Sequence, residues 1–180
     1  MAQKVYLTYE DIHKEIQNTA EAVKAWKPDV MIAIGGGGFI PARIMRTFLR
    51  VPIVAVGLRL YDDNDEAAAV PEKTQWFDDL NLKKIKGKRA LIVDEVDDTR
   101  TTLAYCVEEL KKEGITDIAI FCIYNKNKKK RAELPKEVAY FPGKNIEDLW
   151  VNFPWEATDI VAHTNEAKKA TNLKISADMS

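Results

Sequence analysis

Four short apolar runs, residues 30–34 (VMIAI), 53–58 (IVAVGL), 89–93 (RALIV) and 117–124 (DIAIFCIY), recur along the chain. Hydrophobic side chains follow one another in each with little polar alternation, the pattern of a strand buried on both faces. Helical stretches lie between the runs. Pro41, a favoured first-turn residue, marks the start of one. Another is expected over residues 99–113, where Leu103, Cys106, Val107 and Leu110 stand at i, i+3, i+4 and i+7, and Gly114 suits the position past its end. Strand, helix, strand, helix in this order predicts an α/β fold: a central parallel twisted sheet with helices on both faces. Ligands in such sheets bind at the carboxyl ends of the strands.

The rest of the chain sets the boundaries. Thr8 and Asp11 form a capping box, with Asp11 in place of the usual Glu, before a helix with Ile12, Ile16, Thr19 and Val23 on one face. Residues 27–29 (Lys-Pro-Asp) stop it. Residues 61–80 are polar and aperiodic, and residues 164–180 form a weakly periodic tail expected to be loosely ordered. One domain over residues 1–163 accounts for the remainder. At 180 residues the chain is long enough for a real core, and its net charge of −1 argues against nonspecific nucleic-acid binding. No apolar run reaches membrane-span length, and the N-terminus lacks a signal-peptide core. Two cysteines, Cys106 and Cys122, and two histidines are too few and too scattered for a zinc site. Reduced, buried cysteines point to the cytoplasm.

The chemistry gathers at the third run. Asp94, Glu95, Asp97 and Asp98 place four carboxylates in five residues, directly before a helix. A cap explains one of them. The others repel one another unless they serve hydroxyls or a cation. Thr99, Thr101 and Thr102, with the free N–H groups of the same helix start, suit a phosphate. A sugar phosphate needs both kinds of group side by side.

Residues 91–102 (LIVDEVDDTRTT) resemble the 5-phosphoribosyl-1-pyrophosphate (PRPP) signature of type I phosphoribosyltransferases: an apolar strand, two adjacent acids, two spacers, then Asp-Thr-x-x-Thr. Arg100 stands where many members have glycine. It needs room for its side chain and a backbone that avoids positive φ. Fungal-type hypoxanthine-guanine and xanthine phosphoribosyltransferases look like this chain at that position. The resemblance implies that Asp94 and Glu95 hold the ribose hydroxyls with Mg²⁺, and that Asp98 is the general acid/base near N7 of a purine. It implies that Thr99, Arg100, Thr101 and Thr102 wrap the 5′-phosphate, with Asp97 the structural member.

Gly35, Gly36 and Gly37, in the run Gly-Gly-Gly-Gly-Phe-Ile-Pro, fail the dinucleotide fingerprint because Ile40 replaces its third glycine. They read either as a tight turn or, by the same resemblance, as the pyrophosphate loop. Bacterial xanthine-guanine relatives usually carry an arginine at the place of Gly36. Arg59 is the substitute, or a solvated strand-end arginine. Residues 61–80 match the position of the family's mobile lid, and Thr74-Gln75-Trp76 resembles its end. Residues 148–156 (DLWVNFPWE) resemble the base-binding hood of 6-oxopurine enzymes, a hood spanning about residues 125–160. Trp150 would stack on the purine, and Val151 and Glu156 would meet its C2 side. Lys126, with Lys128 in reserve, would contact O6. The remainder of the run from Lys126 to Arg131 is expected to be a solvated face.

The implied activity is Mg²⁺-dependent transfer of phosphoribose from PRPP to a 6-oxopurine, in purine salvage, by a cytoplasmic homodimer without nucleic-acid or membrane partners. A PRPP-sensing, nucleic-acid-binding regulator of the same fold and a transferase for another base are the alternatives. Net charge and single-domain length disfavour the regulator, and the Trp150 hood disfavours both.

Overall fold

The computed structural model describes residues 4–61 and 67–177. Strands β2 (Val30–Gly35), β3 (Ile53–Tyr61), β5 (Ala90–Asp97) and β6 (Ile118–Lys126) are the four apolar runs, each extended at its carboxyl end. With β4 (Ala67–Gln75) and β7 (Ala139–Ile146) they form a six-stranded sheet of order β4-β3-β2-β5-β6-β7. All pairings are parallel except β3 with β4. A second sheet joins β1 (Lys4–Tyr6) to β8 (Trp150–Asn152), also in parallel.

Helices cover both faces of the large sheet. On one side α1 (Tyr9–Trp26) and α2 (Phe39–Leu49) pack Ile12, Ile16, Val23, Ala42 and Met45 onto Met31, Ala33, Leu91, Val93 and Phe121. On the other, α3 (Asp79–Ile85) and α4 (Thr101–Lys112) pack Ile85, Leu103, Cys106, Val107 and Leu110 onto Ile32, Ile92 and Ile120. Successive strand residues serve opposite layers, so the strands are apolar throughout. The Thr8 capping box forms as expected: Asp11 N–H donates to Thr8 Oγ1 at 3.1 Å, and Thr8 N–H donates to Asp11 Oδ2 at 2.8 Å. Cys106 and Cys122 are both buried free thiols.

Two expectations need correction. The polar stretch after residue 61 contains strand β4, which runs antiparallel to β3 at the sheet edge. Among the described residues no strand pairs with its outer edge, so polar and charged residues are tolerated and no apolar period develops. The part of this stretch at 62–66 lies outside the described residues. The expected loose tail is instead helix α5 (Ile160–Ala177), anchored where His163 Nε2 lies 2.8 Å from the Leu7 carbonyl oxygen and the His163 ring meets Tyr6 edge-on. Among the described side chains of α5 only His163 and Ala167 are buried, too few to form an apolar stripe. Residues 178–180 of the tail lie outside the described residues.

Candidate active site

β2 and β5 are adjacent and parallel, with Ala33 opposite Val93. The glycine run leaving β2 and the acidic run ending β5 therefore emerge on the same edge of the sheet. Gly38 is wedged between them: a Cβ there would lie 2.3 Å from the Val93 carbonyl oxygen and 2.7 Å from that of Ile34. At Gly37 a Cβ would lie 1.7 Å from Glu95 Oε2. The bare backbone at Gly37 is what lets the Glu95 carboxylate reach over the loop. The result is a cleft of about 280 Å³, with Gly35, Gly36 and Gly37 on one wall and the chain from Asp94 to Leu103 on the other. Leu58 and Leu60 of β3 complete it.

The acid pair sits at its floor. Asp94 is buried, and its Oδ1 accepts the Glu95 N–H at 3.0 Å. Burial, and then the neighbouring Glu95 charge, raise its pKa well above the ordinary carboxylate range. Glu95 Oε2 is buried and accepts no hydrogen bond. The Glu95 carboxyl, beside the buried Asp94, is short of a donor or a cation. Among the described residues no group of three or more His, Cys, Asp or Glu forms a ready-made cation cage. An ion held by this pair would take its remaining ligands from water or a substrate, as Mg²⁺ commonly does.

The turn from Asp97 to Thr102 corrects the expectation for Arg100. Its φ is +68°, the left-handed conformation that a glycine would adopt without cost. The side chain compensates. Arg100 Nε donates to Asp97 Oδ2 at 2.9 Å, Nη2 stands 2.8 Å from the same oxygen, and the guanidinium lies 4.9 Å from the centre of the Tyr140 ring. The Tyr140 hydroxyl donates to the same carboxylate at 2.8 Å. Asp97 is thus a buried structural hub, and the Arg100 side chain is tied to it. The N–H groups at the start of α4, with Thr101 and Thr102, are left facing the cleft. Thr99 Oγ1 and Thr101 Oγ1 are 3.0 Å apart.

The basic run from Lys126 to Arg131 is a solvated face at alternate positions, as expected, and only Lys130 departs from the expectation. Lys126, Lys128 and Lys130 turn in toward the acidic turn, while Asn127, Lys129 and Arg131 are exposed. Lys126 Nζ lies 3.3 Å and Lys128 Nζ 3.0 Å from Asp98 Oδ1. Both also pair with Asp148, at 3.8 and 2.9 Å. Partial burial works to raise the Asp98 pKa, but the two ammonium groups, Lys128 foremost, outweigh it and hold the carboxyl below its ordinary value. Asp98 is therefore a carboxylate flanked by two cations.

The remaining predicted residues are placed as follows. Arg59 bonds Glu72 across β3 and β4 at 2.8 Å, while its neighbours Leu58 and Leu60 line the cleft. Trp150 is 61 % exposed, two residues beyond the Asp148 that grips both lysines. Val151 packs against the core cluster of α1 and α2, and lines a separate cavity with Tyr124 and Leu149. Glu156 belongs to the 3-10 turn Pro154–Glu156 and borders a groove with Tyr6, Asp159 and His163. Trp155 stacks on Phe153 with ring centres 4.6 Å apart, as a packing residue. Sequence reasoning missed Tyr140, Asp148 and Lys130. The every-second spacing of the three inward lysines was the available signal, although a bend at residues 127–128 just past β6, with Lys128 N–H donating to Lys126 O at 2.9 Å, and not a strand, brings them to one side.

Comparison with known proteins identifies the family. The phosphoribosyl transferase domain family matches residues 3–159, and the chain belongs to that family. A hypoxanthine-guanine phosphoribosyltransferase from Schizosaccharomyces pombe is 44% identical, over 95% of this chain and 98% of the relative. Xanthine phosphoribosyltransferase 1 from Saccharomyces cerevisiae is 42% identical, over 92% of this chain and 96% of the relative. Among solved structures, a hypothetical protein from Neisseria gonorrhoeae with bound ppGpp is 42% identical, with a TM-score of 0.86 over 94% of this chain and 98% of that one.

Proposed function

We propose that this protein transfers the 5-phosphoribosyl group of PRPP to a 6-oxopurine, giving the nucleoside 5′-monophosphate and pyrophosphate, in purine salvage. The observation that carries this reading is the ionised Asp98, flanked by Lys126 and Lys128 at 3.3 and 3.0 Å beside a sugar-phosphate cleft. An oxopurine offers an N7 proton and an O6 acceptor on one edge. Asp98 takes the first, and Lys126, with Lys128 behind it, serves the second. Trp150 supplies a stacking face and the Val151 backbone beside it faces C2, while Glu156 lies in a separate groove with Tyr6 and His163. The phosphate docks on Thr99, Thr101, Thr102 and the backbone of Arg100, and the diphosphate lies along Gly35, Gly36 and Gly37, while Arg59, turned to the opposite face of β3 from Leu58 and Leu60, stays with Glu72.

Asp94 and Glu95 hold the ribose hydroxyls and Mg²⁺. The unsatisfied Glu95 Oε2 and the buried Asp94 fit such a charge. Mg²⁺ held there would supply charge neutralisation for the departing diphosphate. The chain itself orients both substrates and stabilises developing charge, and no covalent nucleophile is needed. Release of pyrophosphate that needs PRPP, base and Mg²⁺ together, and stops with chelator, tests this. Release without base would oppose it.

The ppGpp-bound relative favours one addition: ppGpp competes with PRPP for the same cleft, its purine at the hood and a diphosphate on the glycine loop. Inhibition that is competitive against PRPP supports this, and noncompetitive inhibition opposes it. We also propose a cytoplasmic homodimer, the assembly implied by the family resemblance. A light-scattering mass of two chains is the expected result.

A further inference from the structure

Lys130 contacts neither substrate in this reading, yet its ammonium is closely engaged. Nζ donates to three backbone carbonyls, of Asp97 at 2.7 Å, Asp98 at 3.0 Å and Lys126 at 3.0 Å. It also lies 3.5 Å from Asp97 Oδ1, which has no hydrogen bond of its own. The side chain is 14% exposed. Two of the carbonyls belong to the turn that carries the base Asp98. The third belongs to Lys126 at the end of the next strand.

The backbone does not hold these two residues together. The pairing of β5 with β6 ends at Asp97 opposite Asn125. Beyond that register the strands part, and Arg131 N–H to Thr99 O at 2.9 Å is the next backbone tie. Between these points three carbonyl dipoles converge. They would repel one another, and lose their donor, without the ammonium among them.

We propose that Lys130 is a positioning residue that sets the spacing of Asp98 and Lys126, and through it the recognition of the N7/O6 edge of the purine. The proposal rests on the oxopurine reading above. A base edge presents its two polar atoms at fixed separation, so an acceptor and a donor on different strand ends must be held at matching distance. Asp98 Oδ1 and Lys126 Nζ are 3.3 Å apart. PRPP uses the glycine loop, the acid pair and the start of α4, none of which Lys130 holds directly.

The test is titration calorimetry on the full chain with Mg²⁺, using GMP and PRPP as separate ligands, for the wild type, Lys130→Met, Lys130→Gln and Lys130→Arg. Lys130→Met is expected to weaken GMP by roughly tenfold or more and to leave PRPP within about twofold, because a lost charge-assisted hydrogen bond is worth about a decade of affinity. Lys130→Arg should recover part of the loss. Equal weakening of both ligands would show a merely structural role and overturn the proposal, as would no change in either. If Lys130→Met does not fold, the same comparison is read from Lys130→Gln and Lys130→Arg. A wild type that binds neither ligand overturns the oxopurine reading and the proposal with it. A wild type that binds both, with all variants unchanged, overturns the proposal alone.

Discussion

Asp97 and Arg100 form a closed local pair: Nε and Nη2 of the arginine stand 2.9 and 2.8 Å from one carboxylate oxygen, and the aspartate side chain is fully buried. The pair makes a glycine-like turn possible without glycine. Removing one partner leaves the other charged and buried. Asp97→Ala should cost about 3–5 kcal/mol of stability. The double variant Asp97→Ala with Arg100→Gly should cost about 1–3 kcal/mol less than the sum of the two single changes. Denaturant melts of all four proteins measure this, and additive losses would refute the coupling.

Asp98→Asn is expected to lower turnover by about 10²–10⁴-fold, the usual worth of a positioned acid/base. Melting temperature should hardly change, because asparagine keeps the shape of the side chain and Lys126 and Lys128 keep Asp148 as a partner. Steady-state kinetics beside a thermal melt decide the point. Full activity in the variant would remove Asp98 from its role.

The pH profile follows from the same geometry. A carboxyl held below its ordinary pKa stays deprotonated as pH falls, so the acid limb of kcat/KM for the base should lie below the usual aspartate value of about 3.9. Replacing Lys128 by Met removes the foremost group that lowers it, and the limb should move up. An unmoved limb would show that Lys128 does not tune Asp98.

Gly37→Ala and Gly36→Ala make a matched pair. A methyl at Gly37 collides with Glu95, while one at Gly36 meets nothing within 4 Å. Gly37→Ala should raise the KM for PRPP by roughly tenfold or more by displacing a charge-bearing contact. Gly36→Ala should melt like the wild type, so that any loss it shows falls on PRPP binding alone. Parallel melts and PRPP titrations separate the two.

Trp150→Ala should raise the KM for the base by about tenfold, in line with the worth of aromatic stacking on a base. Stability should be nearly unchanged, since the ring is largely exposed. A large drop in melting temperature would mark Trp150 as a packing residue instead.

The core of this fold was legible because parallel strands buried on both faces leave continuous apolar runs, and helices such as α4 leave a 3.6-residue stripe. The acid pair and the phosphate turn were legible because they are contiguous in sequence. Three things were not. β4 is an edge strand with mixed polarity, and β1 and β8 are three-residue strands paired across nearly the whole chain, beyond any local period. The left-handed Arg100 depends on Asp97 and on Tyr140, forty residues further along, so the residue at position 100 alone pointed the wrong way. The lysine run looked uniform as composition, and the bend at residues 127–128 that sorts Lys126, Lys128 and Lys130 to one side leaves no mark in the sequence. At the hood, the sequence motif named the residues, while their separate surroundings follow from how β8 seats on β1.

The most direct measurement is a screen of hypoxanthine, guanine, xanthine and adenine with PRPP and Mg²⁺, following nucleotide formation. The ionised Asp98 beside Lys126 predicts transfer to one or more of the three oxopurines and none to adenine, whose 6-amino group gives the lysine no acceptor. Transfer to adenine in preference to the oxopurines, or no transfer to any base, would contradict it.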